Sequence, residues 1–187
     1  MYDDIKIKVY NAVIEGFSKK GLKFTIDEVA ASINMSKKTI YKVFDSKEQI
    51  LRDTINYGFD QVKLSEQKVI EDDSLDILGK IKMVLIAMPD RYREIDWRNI
   101  NVLNKKYPQL YQLIVERIEN CWEKIYELFE EAIRTRRMKN ISVPVLKIMI
   151  ESSYEGFLSK DILKENDINY DYALMAMLDI IFDGICN

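Results

Sequence analysis

The residues of this chain best placed to do chemistry are lysines and hydroxyl-bearing side chains between positions 37 and 42. Ile40 and Phe44 have the spacing of a buried face on a short predicted helix. The opposite face is then polar and basic, and it comprises Lys37, Lys38, Thr39, Tyr41 and Lys42. Clustered ammonium groups bind phosphates by displacing condensed counterions. The pattern favours contact with nucleic acid, and the alternative is an ordinary solvated face.

Two short helices joined by a tight turn position this basic face. Thr25 and Glu28 form a predicted capping box that opens the first of them. Asn34 interrupts that helix, since Asn adopts left-handed backbone readily, and Ser36 can cap the next helix. A major groove about 12 Å wide admits one helix, so the second helix must be held clear of the body. The spacing therefore predicts a helix-turn-helix.

Charge is unevenly divided along the chain. The formal net charge is −3 and the isoelectric point is near 5.3, which would ordinarily disfavour nucleic-acid binding. Residues 36–52, however, hold five basic and two acidic residues. The acidic total belongs to the remainder of the chain, and the helix-turn-helix forms a local basic head.

Several classes of protein are disfavoured by composition. The 187 residues include no histidine, which removes imidazole-based triads and the common zinc sites. Cys121 and Cys186 lie too far apart in sequence for a metal motif. No paired-acid or nucleophile-base motif emerges, so we expect no enzyme, cofactor or metal. The longest apolar runs are six residues, against roughly 20 for a membrane span, and we expect a soluble cytoplasmic protein.

Hydrophobic periodicity predicts an all-α fold of about nine helices. Gly21 ends the first helix, and Ser46 to Gln49 form a capping box that opens a long fourth one. Ser74 is predicted to cap a fifth helix that ends before Pro89, and a sixth lies around Trp97. The remaining predicted helices are a seventh of about 25 residues from Pro108, an eighth from Ser142 and Pro144 to Leu163, and a ninth from Tyr172 to Ile185.

The segments Phe24 to Ala30 and Asn34 to Glu48 resemble the DNA-binding domain of TetR-family transcriptional regulators, over about residues 5–52. The resemblance implies three N-terminal helices that bind operator DNA, and a remainder that binds a ligand and forms a homodimer. We therefore expect a DNA-binding domain at residues 1–50 and a ligand-binding and dimerisation domain at 51–187. Asn34 stands where the family commonly has glycine, and Val43 where it commonly has His or Tyr.

The resemblance also implies roles for individual residues of the basic head. Thr25, Tyr41 and Lys47 match positions that contact phosphates in the family. Base contacts, or contacts to nearby phosphates, are implied for Lys37, Lys38, Thr39 and Lys42. For Tyr41, packing in the core is the alternative, because its ring is amphipathic.

Aromatic and methionine side chains are frequent between residues 83 and 182, and such residues can line a pocket between helices. The pocket candidates are Trp97, Trp122, Tyr126, Tyr154 and Phe157. For each of them, packing in the core is the alternative. The predicted effector is an apolar or aromatic small molecule.

The last two predicted helices offer a surface for a second copy of the chain. The candidate interface residues are Leu146, Met149, Ser153, Gly156, Leu174, Leu178, Ile181 and Ile185. Small residues in the middle of the eighth helix permit close approach of another helix. Burial inside the protomer is the alternative.

Together these observations predict a homodimeric transcriptional regulator, most often a repressor in the resembled family, that binds a palindromic operator and responds to a ligand. The alternative is a regulator whose C-terminal region is controlled by a protein partner instead of a small molecule.

Overall fold

A computed structural model describes residues 2–89, 92, 95, 100–120, 122–159 and 162–186. They form eleven α-helices and one 3-10 turn at Gly21–Lys23, which confirms the predicted all-α fold. The helices are α1 (Tyr2–Lys20), α2 (Ile26–Ser32), α3 (Lys37–Ile40), α4 (Lys47–Ile70), α5 (Ile77–Leu85), α6 (Ile100–Lys106), α7 (Pro108–Glu119), α8 (Glu123–Arg134), α9 (Val143–Ser159), α10 (Ile162–Glu165) and α11 (Tyr170–Ile185). Within these residues no helix is long and apolar enough to cross a bilayer.

The first four helices pack around one apolar cluster. Helix α1 packs against α2 and α4, and α2 packs against α3. Val9, Ile40 and Ile50 are completely buried there. Gly21 has φ 55° and Asn34 has φ 54°, so both residues adopt the left-handed backbone that the sequence predicted at the end of α1 and at the turn.

Helices α5, α8, α9 and α11 enclose a second apolar cluster, whereas α6 and α7 add buried residues to the first one. Helix α5 packs against both α4 and α8, and α9 packs against α11. Ile81, Phe129, Ile150 and Leu178 are completely buried in this cluster. The two clusters are joined in the chain by α4, which crosses the predicted boundary at residue 50 without interruption. Leu158 of α9 belongs to the first cluster. The division of the chain into two domains stays a prediction.

Several helix boundaries differ from the sequence prediction; the predicted third helix, for example, ends at Ile40, before Phe44. The predicted seventh helix is two helices, α7 and α8, which end and begin at Glu119 and Glu123. Asn120 supports the break, because both its backbone N–H and its side-chain amide donate to the Glu116 carbonyl, the latter at 2.7 Å. The apolar stripe continues through the break, but the packing partner changes there: α7 packs on α6, and α8 packs on α5. Periodicity alone therefore predicted one helix.

A local hydrogen bond explains where α5 begins. Asp76, and not Ser74, caps α5, because its carboxylate accepts from the Gly79 N–H at 2.8 Å. The Ser74 hydroxyl donates instead to Asp72 at 2.6 Å. The predicted eighth helix stops at Ser159, and the short α10 follows from Ile162.

Candidate nucleic-acid interface and ligand cavity

The start of α2 has the predicted capping box. The Thr25 hydroxyl oxygen accepts from the Glu28 N–H at 3.2 Å, and the Glu28 carboxylate accepts from the Thr25 N–H at 2.9 Å. Lys20 donates to the same carboxylate at 2.6 Å. These hydrogen bonds lower the pKa of Glu28.

Helix α3 is held by a cap at one end and by buried side chains underneath. The Ser36 hydroxyl oxygen accepts from the Thr39 N–H at 3.0 Å, as the sequence predicted. Ile40 is completely buried and Phe44 is 1% exposed. The Phe44 ring packs edge-on against Tyr10 of α1, with ring centroids 5.9 Å apart. Phe44, which follows α3 by four residues, therefore anchors this segment to α1, and the outer face of α3 is left toward solvent.

The outer face of α3 and the turn that follows it at residues 41–43 carry the predicted basic residues, and these residues differ in their partners. Lys37 donates to Asp27 of α2 at 2.8 Å, and this hydrogen bond together with the charge of Asp27 raises the pKa of Lys37. Lys38 and Lys42 are exposed and form no ion pair within the described part of the chain. Tyr41 is 39% exposed, which leaves its ring and hydroxyl accessible. The geometry leaves Lys38 and Lys42 as the freest cations of this face.

Lys47 is placed differently from what a phosphate contact requires. Its ammonium donates to the Phe24 carbonyl at 2.5 Å and lies 4.1 Å from the centroid of the Phe24 ring. Burial, followed by the nearby charge of Lys106, lowers the pKa of Lys47. For this lysine to reach a phosphate, its ammonium must leave the Phe24 carbonyl. Sequence reasoning placed Lys47 correctly at the start of α4 but did not foresee this contact.

A cavity of about 250 Å³ lies between the head and the later helices. Trp122 and Tyr154 line it, as predicted. Tyr126 does not line it but packs edge-on against Trp122, and Phe157 packs in the same way against Tyr170. Trp97, the fifth candidate, lies outside the described residues. The structure thus brings two of the five candidates to the cavity and places two directly behind its wall.

Sequence reasoning missed the cavity wall contributed by the N-terminal helices. Val13, Ile14 and Phe17 of α1 line the cavity, as do Phe59 and Glu66 of α4. The apolar members of this group have the spacing of ordinary core residues, so nothing in the sequence separated them from the core. Glu66 carried a signal, because a charged residue on the side of a helix that also carries Phe59 and Val62 interrupts an apolar surface.

Two of the hydroxyl groups around the cavity donate to backbone carbonyls. The Tyr154 hydroxyl donates to the Leu85 carbonyl at 2.6 Å, and the Thr54 hydroxyl donates to the Ile50 carbonyl at 2.7 Å. Burial raises the pKa of Tyr154 and of Tyr170 far above the ordinary value for a phenol. Both tyrosines therefore stay neutral at physiological pH, and the walls they form are aromatic and uncharged.

The candidate dimer residues divide into two groups. Leu146, Leu174 and Leu178 are at most 5% exposed, so they follow the alternative, burial inside the protomer. Met149 is 54% exposed, whereas Ser153, Gly156, Ile181 and Ile185 are half-buried. The exposed apolar residues that the sequence did not single out on these two helices are Val145, Ile148, Tyr172, Met175 and Ile180. These exposed residues alternate along the helices with the buried leucines. Both sides of each helix are therefore apolar, so periodicity did not indicate which side faces the core.

Known proteins with similar sequences are helix-turn-helix regulators. The family model described as "Bacterial regulatory proteins, tetR family" matches residues 10–54, which agrees with the resemblance over residues 5–52. YvaF of Bacillus subtilis (strain 168), an uncharacterized HTH-type transcriptional regulator, is 25% identical over 167 residues, and the alignment covers 89% of this chain and 88% of the relative.

Solved structures share the fold over nearly the whole chain. A TetR-family regulator from Cytophaga hutchinsonii aligns with a TM-score of 0.74 at 16% identity, over 99% of this chain and 96% of that one. A TetR regulator from Chloroflexus aurantiacus J-10-FL aligns with a TM-score of 0.70 at 16% identity, over 99% and 98% of the two chains.

The matched segment includes the capping box of α2, the turn at Asn34, and α3 with its basic face. The family consists of regulators, not enzymes, and this confirms the prediction that the chain has no catalytic role. Residues 10–54 of this chain therefore carry the DNA-binding domain of the TetR family of transcriptional regulators.

Proposed function

We propose that this regulator is a cytoplasmic repressor that binds a palindromic operator as a homodimer and releases it when a small molecule enters the cavity. The observation that carries the proposal is the position of the cavity. Its walls combine Val13 and Phe17 of α1, in the head, with Tyr154 of α9 and Leu174 of α11. A molecule in this space contacts α1, the helix that packs against α2 of the helix-turn-helix.

Contact with DNA is assigned to the exposed face of α3 and the start of α2. Lys38 and Lys42 are the cations available to contact bases or phosphates. Lys37 can contact DNA as well once its ion pair with Asp27 is broken. Thr25 and Tyr41 are assigned to phosphates, supported by the exposure of both residues. Thr39 and Lys47 complete the proposed interface.

A second copy of the chain is the proposed occupant of the exposed apolar face of α9 and α11. Val145, Ile148 and Met149 form one exposed stripe on α9, and Tyr172 and Ile180 lie on the neighbouring α11. Gly156 continues the α9 stripe at helical spacing, and a Cβ added there would meet no atom within 4 Å. The apolar surface together with this open position supports close packing of helices across a two-fold axis. Two heads about 34 to 36 Å apart would meet successive major grooves.

Release follows from a shift between two arrangements of the heads. A ligand that binds better to the arrangement incompetent for DNA must weaken operator affinity by the same factor by which DNA weakens ligand binding. Because α1 and α9 both contribute to the cavity wall, through Phe17 and Tyr154, a ligand in the cavity changes the preferred separation of these helices. Displacement of α1 carries α2 and α3 with it, since α1 packs on α2.

Selection of genomic DNA fragments by the purified full-length protein tests the proposal. We expect a palindrome to be recovered, with affinity that falls roughly 10³ to 10⁵ fold between 50 and 200 mM salt if the dimer contacts six to ten phosphates. A thermal-shift screen of small molecules, followed by addition of each hit to the DNA complex, then tests release. A flat salt profile, or hits that leave DNA affinity unchanged, would count against the proposal and favour control by a protein partner.

The substitution Ile148→Asp tests the proposed dimer face. Ile148 is 62% exposed, so the protomer should fold, but a carboxylate in an apolar interface is desolvated without a partner. We expect sedimentation velocity to show a monomer at concentrations where the parent is a dimer. Operator affinity should fall at least about 100-fold, because one head then binds one half-site alone.

The matched control is Leu64→Asp, which places the same charge at a 57% exposed apolar residue of α4. This variant should remain dimeric and keep its operator affinity. A dimeric Ile148→Asp variant, or a monomeric parent, would refute the proposed face.

A further inference from the structure

Glu66 is the only charged side chain among the described residues that line the cavity. It lies on α4, and the lining residues nearest to it along that helix are Val62 and Phe59. Apart from this carboxylate, the walls are built from aliphatic and aromatic side chains and a few hydroxyl groups. The cavity is therefore an apolar space with one acidic point on its wall.

The carboxylate of Glu66 has no hydrogen bond or ion pair within the described part of the chain, and its side chain is half-buried. Burial raises the pKa of Glu66, and the charge of Lys63 on the same helix only partly opposes this effect. A desolvated carboxylate without a partner is unfavourable, and a cation brought beside it recovers much of the lost solvation. The hydroxyl hydrogens of Thr54 and Tyr154 are directed to backbone carbonyls, so they do not solvate it.

Aromatic rings surround the rest of the space. Phe17, Phe59, Trp122, Tyr154 and Tyr170 all line the cavity. The face of an aromatic ring attracts a cation, most strongly where water is excluded. The same rings offer apolar area to a hydrocarbon body. An anion, in contrast, would meet the charge of Glu66 with no basic residue among the described lining to offset it.

We propose that the effector is a lipophilic cation, an apolar body carrying a protonated or quaternary amine, whose charged group pairs with Glu66. This inference rests on the proposed function, because it names the chemical class of the molecule that enters the same cavity. The volume of about 250 Å³ suits a molecule of modest size, since pockets for small molecules are typically about 300 to 1,000 Å³. Glu66 determines the charge of the ligand, and the rings determine its apolar character.

Calorimetric titration with three probes of equal chain length tests the inference: decyltrimethylammonium, decanol and decanoate. We expect the parent protein to bind decyltrimethylammonium at least about 10-fold more tightly than decanol, and decanoate most weakly. In Glu66→Gln, which keeps the shape of the side chain, the preference for the cation should disappear while decanol binding is retained. The control Glu130→Gln removes the same charge from an exposed position of α8 and should keep the preference.

Three results would overturn the inference: equal binding of decanol and the cation by the parent, a preference that survives in Glu66→Gln, or no binding of the cation. Addition of each probe to the complex with selected DNA separates this test from that of the proposed function. If decanol releases the DNA as effectively as decyltrimethylammonium does, the result supports control by a ligand and refutes the proposal that the effector is a cation. If the cation binds in a Glu66-dependent way but leaves the affinity for DNA unchanged, the result supports a cation as the ligand of the cavity and refutes control of DNA binding by that ligand.

Discussion

The double substitution Lys38→Glu, Lys42→Glu should lower affinity for the selected operator at least about 1,000-fold at 150 mM salt. In a dimer this change removes four cations and adds four anions on the surface proposed to face phosphates, where each lost contact lowers the salt slope by roughly 0.9. Both lysines are exposed and lack ion pairs within the described residues, so the fold should be unaffected. Fluorescence anisotropy with labelled operator measures the affinity, and circular dichroism checks the fold.

The control for charge is Lys68→Glu, Lys164→Glu, which changes the net charge equally at exposed positions of α4 and α10. We expect this variant to bind operator within a few-fold of the parent. If the two double variants bind equally, the total charge of the protein and not the face of α3 governs binding. A Lys38→Glu, Lys42→Glu variant that binds within 10-fold of the parent would remove α3 from the proposed interface.

The substitution Phe44→Ala should have the largest effect on stability, a loss of about 3 to 5 kcal/mol in the free energy of unfolding. Phe44 is 1% exposed and packs edge-on against Tyr10, so its removal leaves a cavity under α3. Urea denaturation followed by circular dichroism measures the loss. Operator binding should weaken as well, because the buried side of α3 is what orients its basic side.

Val43→Ala provides the comparison for Phe44→Ala at the neighbouring position. Val43 is half-buried, and the loss of two methyl groups there should cost only about 1 kcal/mol. If Phe44→Ala is no more destabilising than Val43→Ala, then α3 is held mainly by its Ser36 cap and by Ile40.

Features determined by neighbours in the sequence were predictable. The capping box of Thr25 and Glu28, the Ser36 cap and the left-handed Asn34 each depend on residues within a few positions, and all three are confirmed. The Ser46 cap of α4 is also present, but Gln49 accepts from the Asp45 N–H at 2.6 Å and so does not complete the predicted box.

Features determined by packing between distant helices were only partly predictable. The break between α7 and α8 was missed because the apolar stripe continues across it while the packing partner changes. Leu146 and Leu178 were assigned to a dimer face although they face the core, since an apolar residue at helical spacing fits either side. The α1 wall of the cavity was missed because Val13 and Phe17 are separated in sequence from Tyr154 by more than 130 positions.

The wall that α1 contributes to the cavity limits how this regulator can be recombined. In a chimera that joins a foreign DNA-binding head to residues 51–187, the ligand space would lose Val13, Ile14 and Phe17 and gain the side chains of another protein. In the proposed function, specificity for the effector thus depends partly on α1, which packs directly on α2 of the helix-turn-helix that carries the proposed operator contacts. A change of promoter by exchange of heads would therefore require α1 to stay with the cavity while only the outward residues of α2 and α3 are replaced.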